Sequence, residues 1–244
     1  MRGLFQKAIT VISIVIGLAY ATEFNEQDIF QTIEDLPVTC SSALRIKNER
    51  TGFFLHSSEL NYGSGSGQQI VTAFQGDNDY NSLWSVKEHD GDDAVPCRTG
   101  VKVKCGQHLR LEHMNTGRNL HSHSAFQSPV SGRQEVSAFG NGGDGDGGDN
   151  FIIECERDDI AGYVYGKTKF FLKHKDTGLY LYTDANSKYT HQNCRNCPIV
   201  GYGEISCIRN RAFNGGLWKV HSGFFFPDVE ANETPFRDEE EEDY

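Results

Sequence analysis

A chain of 244 residues, 37% hydrophobic and 23% charged, is long enough to bury one sizeable β core. Its formal charge of −11, with no basic patch, argues against nucleic-acid binding. Seven cysteines fit an oxidising compartment.

The N-terminus reads as a secretory signal. Arg2 and Lys7 supply the positive start, and residues 8–18 form an apolar run. That run is well short of the ~20 residues a membrane helix needs. Ala19-Tyr20-Ala21 is a small-x-small cleavage site, so removal after Ala21 is expected. No later segment is apolar enough to insert in a membrane. Residues 22–37 then read as a short polar leader.

A segment written three times follows. Leu44-Arg45-Ile46 leads to Thr51-Gly52, Leu109-Arg110-Leu111 leads to Thr116-Gly117, and Phe170-Phe171-Leu172 leads to Thr177-Gly178. The Thr-Gly pairs are 65 and 61 residues apart. Each copy has an aliphatic residue five before the Thr (Ile46, Leu111, Leu172) and a Leu four after it (Leu55, Leu120, Leu181). Alternating runs around a glycine turn predict a β-hairpin, because Gly takes positive φ without a steric penalty. Further on, Gln69–Phe74 matches Gln134–Phe139, and Pro198-Ile199-Val200-Gly201-Tyr202 stands at the corresponding place in a drifted third copy. Each copy closes on an aromatic strand at Trp84, Phe151 or Trp218. Three four-stranded units of about 38–93, 94–158 and 163–223 predict an all-β fold. An open solenoid needs capping repeats, whereas a closed threefold barrel removes its edges. The β-trefoil is the closed solution with three repeats, and a β-sandwich is the alternative.

His56, His121 and His123 follow the repeated turns. The repeat puts His56 and His121 on one rim of the barrel, and Tyr182 takes that place in the third copy, so no threefold His site forms. The plain expectation is a set of rim residues bonded to a neighbouring loop. The functional one is a rim that contacts a glycan or a protein segment, with Tyr62, Tyr180, Tyr182 and Tyr189 available to stack on sugar rings. Residues 140–150 hold Asp144, Asp146 and Asp149 among glycines. An EF-hand needs a Gly at its sixth position and a Glu at its twelfth. Counting from Asp144 gives Asp149 and Cys155 there, so a long, flexible hairpin loop is expected.

Cys194-Arg195-Asn196-Cys197 is a C-x-x-C motif in a loop. A redox role wants such a pair at a helix N-terminus, and a zinc site would need more ligands, such as Cys207 and His191. A local disulfide to Cys207 that leaves one thiol free is the expectation, with redox and metal chemistry as alternatives. No nucleophile elbow, zinc-protease motif, P-loop or dinucleotide fingerprint occurs, so neither enzyme activity nor a cofactor is expected. Asn232-Glu233-Thr234 is a glycosylation sequon, weakened by Pro235. Residues 224–244 read as a disordered acidic tail, in which Asp238 to Asp243 supply −6 of the charge.

Val38-Thr39-Cys40, the Gly-Ser stretch from Tyr62 to Gln69, Asn115 to His123, Ser128-Pro129 with Ser131-Gly132, and Gln134 to Phe139 resemble MIR repeats. More narrowly, they resemble the stromal cell-derived factor 2 family. The likeness covers about residues 38–223. It implies a β-trefoil of three MIR repeats in a soluble protein of the endoplasmic reticulum (ER) lumen. It also implies an adaptor that binds a lumenal J-domain co-chaperone and, through it, the lumenal heat-shock chaperone and non-native clients. A lectin-like trefoil and a C-x-x-C oxidoreductase are the other functional readings. The resemblance extends to Cys40, Cys97, Cys105 and Cys155 and implies Cys40–Cys97 and Cys105–Cys155 disulfides, which the nearness of a repeat's first and last strands supports; other pairings stay open. It offers no counterpart for Cys194, Cys197 and Cys207. The chain ends Glu241-Glu242-Asp243-Tyr244, without a retention signal of the His-Asp-Glu-Leu kind. Either binding to a resident partner holds it in the ER, or it is secreted.

Overall fold

A computed structural model describes residues 32–229, apart from residues 78, 93, 95, 158–161, 195–196 and 212. The signal segment, most of the leader, the Asn232 sequon and the acidic run lie outside the described residues.

The alternation of the repeat becomes strands. The first copy forms β1 (Ala43–Asn48), β2 (Phe54–Asn61), β3 (Gln69–Phe74) and β4 (Leu83–Glu88). The second forms β5 (His108–His113), β6 (Arg118–Gln127), β7 (Gln134–Phe139) and β8 (Phe151–Cys155). The third forms β9 (Lys169–His174), β10 (Tyr180–Tyr182), β11 (Gly203–Glu204), β12 (Ser206–Ile208) and β13 (Trp218–Phe224).

Six of these strands close a ring, each antiparallel to the next: β1 to β4, β4 to β5, β5 to β8, β8 to β9, β9 to β13, and β13 back to β1. The remaining strands form three hairpins that cap one end, joined in turn through β3–β7, β7–β12 and β11–β3. This is a β-trefoil. Beyond the strands, the Val38 N–H donates to Val164 C=O (2.8 Å), Val164 N–H to Val103 C=O (2.9 Å), and Val103 N–H to Val38 C=O (2.9 Å). One residue from each repeat thus shares a closed ring of backbone bonds, and all three side chains are buried.

The core follows the same threefold rule. Ile46, Leu111 and Leu172 occupy one level, Val86, Ile153 and Val220 another, and Leu55, Leu120 and Leu181 a third, all in one apolar cluster. Trp84, Phe151 and Trp218 are equivalent and fully buried. Each indole N–H needs an acceptor once buried. Trp84 donates to Leu55 C=O (2.9 Å) and Trp218 to Leu181 C=O (3.3 Å).

Pairing corrects the third copy. Leu55 faces Ala73 and Leu120 faces Ala138, but Leu181 faces Cys207. The segment matching Gln69–Phe74 is therefore Gly203–Ile208, not Pro198–Tyr202. A longer loop carrying the C-x-x-C motif displaces the strand along the sequence.

Candidate functional site

The repeated Thr-Gly turn is held from inside the rim. His113 Nδ1 bonds Thr116 Oγ1 (2.8 Å) and its Nε2 bonds Asn81 C=O (2.9 Å). His174 does the same with Thr177 (2.8 Å) and Gly148 C=O (3.0 Å). A carbonyl only accepts, so Nε2 carries a proton in both rings. Burial lowers the pKa of both rings. Asn48 fills the third place: its Oδ1 accepts from Thr51 N–H (3.0 Å), and its Nδ2 donates to Gly215 C=O (2.9 Å). Links also cross between repeats, from Gln69 Nε2 to Thr116 Oγ1 (3.0 Å) and from Gln134 Nε2 to Thr177 Oγ1 (3.1 Å). Gly203 stands where a third such Gln would, because a Cβ there would lie 2.9 Å from Ala73 Cβ.

Two of the three histidines take the plainer of the two courses and are committed internally. His56 is buried, bonds Thr72 Oγ1 (2.9 Å), lies 3.4 Å from Asp79 Oδ2, and packs on Phe74 and Tyr202. Burial pushes its pKa down to about 4 against the pull of Asp79. His121 is buried and bonds Asp149 Oδ1 (2.9 Å). Neither ring is available to a glycan or a protein segment. His123 is exposed on the outer half of β6, where it accepts from Ala125 N–H (3.0 Å). The tyrosines divide likewise. Tyr62 and Tyr189 are buried, with hydroxyls 3.2 Å apart, and Tyr180 and Tyr182 stay half-exposed.

The glycine-rich loop is pinned rather than loose. Residues 147–149 form a 3₁₀ turn closed by a reciprocal capping box between Asp146 and Asp149. Asp149 is fully buried and also accepts from Asn119 Nδ2 (3.0 Å). His121, Asp146 and Asp149 bring one ligand atom each within 4.8 Å of one another. Both Asp149 oxygens are already taken by His121, Asn119 and the Asp146 N–H, which is a cap and not an open coordination sphere.

Cys40 joins Cys97 and Cys105 joins Cys155. Cys194 joins Cys197, not Cys207. Cys207 is a free thiol buried in β12 opposite Leu181, and burial pushes its pKa up to about 12. That direction is opposite to an activated nucleophile. Its place in the core strand puts it out of reach of the loop pair, a separation that spacing alone does not reveal.

Between neighbouring repeats the rim forms three equivalent niches. Each has a ring or aliphatic side chain at the end of one hairpin (Phe74, Phe139, Ile208) beside a residue of the preceding repeat (Tyr202, Gln68, Arg133). Matching backbone bonds fix this equivalence: Tyr189 N–H to Tyr202 C=O, Tyr62 N–H to Gln68 C=O, and Ser128 N–H to Arg133 C=O. Tyr202 covers Phe74 at 4.9 Å between centroids. Arg133 lies 5.0 Å over the Tyr182 ring and 3.3 Å from Asp184. Gln68 covers nothing comparable, and a groove opens there, lined by Gln68, Arg118, Phe139, Asn141 and Asp144 with glycine backbone. Sequence reading misses this groove because a missing neighbour, and not a motif, creates it.

A threefold trefoil with these turns is a MIR-repeat architecture, and residues 46–195 match the MIR domain model. Human stromal cell-derived factor 2 is 40% identical over 188 residues, which is 77% of this chain and 82% of that protein. The crystal structure of the SDF2-like protein from Arabidopsis thaliana superposes with a TM-score of 0.69 at 36% identity, covering 79% of this chain and 98% of that one. The S. cerevisiae protein O-mannosyltransferase Pmt1-Pmt2 complex contains a similar domain, with TM-score 0.66 and 26% identity over 82% of this chain and 27% of that one. The chain belongs to the stromal cell-derived factor 2 family. Family and disulfides together fit the secretory pathway, and among the described residues no helix is long and apolar enough to cross a membrane.

Proposed function

We propose that this protein is a non-enzymatic adaptor of the ER lumen that binds a J-domain co-chaperone. Through it, the adaptor would engage the lumenal heat-shock chaperone and non-native clients. The observation that carries this reading is the likeness to stromal cell-derived factor 2 across most of both chains. The relatives' names describe factors rather than enzymes. The barrel supports the reading physically: a scaffold closed by strand pairing presents its loops with little ordering cost on binding. A pull-down of the epitope-tagged protein from cells, with the medium assayed in parallel, tests it. Recovery of a J-domain protein in near-equal amount, with little tagged protein in the medium, is the expected result. Abundant secreted protein with no chaperone attached would overturn the reading.

A further inference from the structure

The three niches of the rim start from one geometry and end differently. Tyr202 fills the first and Arg133 bridges the third, so both are closed by the protein itself. At the second, Gln68 stands in their place, and its Oε1 is occupied by the Ser137 hydroxyl. One side of this groove is Phe139, half-exposed and backed by His121 at 5.0 Å. The other groups are polar and unspent. The side chains of Arg118, Asn141 and Asp144 make no hydrogen bond or ion pair with any described residue.

The turn that carries Asn141 and Asp144 is rigid. The two residues bridge each other across Gly142 and Gly143, whose φ values are +59° and +85°. Two consecutive positive φ angles make the tight hairpin turn that glycine pairs favour. Gly143 N–H donates to Gly117 C=O (2.8 Å), and Gly143 C=O accepts from Asn119 Nδ2 (3.0 Å). The backbone positions that carry the amide and the carboxylate are therefore fixed before any ligand arrives, which lowers the entropic cost of binding.

The charge balance selects the ligand. An anion would meet Asp144 and a cation would meet Arg118. An apolar segment would desolvate both without pairing either. Vicinal hydroxyls both donate and accept, so they can satisfy a guanidinium, a carboxylate and an amide together, while the C–H face of the same ring packs on Phe139. We propose that the groove between the first and second repeats binds one neutral hexose unit of a glycan. This activity is separate from any co-chaperone contact and does not depend on it.

Saturation-transfer NMR on the full-length chain tests it with methyl α-glucoside, methyl α-galactoside and methyl α-mannoside. Sialic acid and lysine methyl ester serve as the charged controls. Transfer to the ring C–H protons of at least one glycoside is expected. Gln68→Tyr writes the closing residue of the first niche into the second, and Asp144→Ala removes an exposed carboxylate with no structural partner. Each is expected to weaken binding by roughly tenfold or more, Asp144→Ala at unchanged melting temperature and Gln68→Tyr at a lower one, since the buried Ser137 hydroxyl loses its acceptor. If Gln68→Tyr unfolds, Asp144→Ala alone decides. No transfer to any glycoside, undiminished binding in Asp144→Ala, or preference for a charged control would each overturn the proposal.

Discussion

Three buried histidines, His56, His113 and His174, are structural bases that burial holds in their neutral form. His56, His113 and His174 all have pKa values lowered by burial, that of His56 to about 4. The unfolded chain takes up protons at these positions below about pH 6.5, whereas the fold does not. Between those limits the unfolded state binds more protons, so stability is full above pH 6.5 and falls as the pH drops towards 4. Thermal melts across this window should show a declining Tm, at about 2–4 °C for each kcal/mol lost. His113→Gln can still accept from Thr116 and donate to Asn81 C=O, so it should flatten part of the slope. An unchanged slope in that variant would remove His113 from the account. The same chemistry explains why the repeat tolerates Asn48 at this position: the turn needs an acceptor and a donor at fixed separation, and both side chains supply them.

Elements show what the sequence can and cannot reveal. The repeat is legible because a Thr-Gly turn needs a threonine hydroxyl and a positive-φ glycine at fixed distance from apolar positions, and those identities survive in all three copies. The displaced strand of the third copy is not legible, because Ile199 and Val200 imitate a strand while Ile199 packs in a separate cap cluster beside Tyr189. The burial of His56 and His121 is hidden for a related reason. Alternation gives the face of a strand, but not whether the loops carrying Asp79 and Asp149 fold over it. The glycine-rich loop yields a direct test. A Cβ on Gly140, at φ +93°, would lie 1.8 Å from Asp144 C=O, whereas one on Gly142, at φ +59°, meets nothing within 4 Å. Gly140→Ala should cost about 2 kcal/mol or more and Gly142→Ala about 1 kcal/mol, the difference being the clash with the turn. Equal losses in denaturant titrations would mean that the turn relaxes freely.

On the scale of the molecule, the disulfides rank by the loops they close. Cys40–Cys97 spans 57 residues and Cys105–Cys155 spans 50, whereas Cys194–Cys197 spans 3. The chain-entropy model gives on the order of 4 kcal/mol for each long loop and about 2 kcal/mol for the short one. Paired serine substitutions should reproduce that order in chemical denaturation. A larger loss at Cys194–Cys197 would assign that pair an enthalpic role in the cap cluster it packs against.

The register of β1 against β13, with Ala43 opposite Phe224, also governs how the protein is made. The first strand to leave the ribosome cannot complete its pairing until the last has followed it. The ring of Val38, Val103 and Val164 likewise waits for the third repeat. Contacts this distant in sequence form slowly, and unpaired edges meanwhile can template association with other chains. A protein proposed to attend unfinished chains is thus an unfinished chain itself until its third repeat has been made.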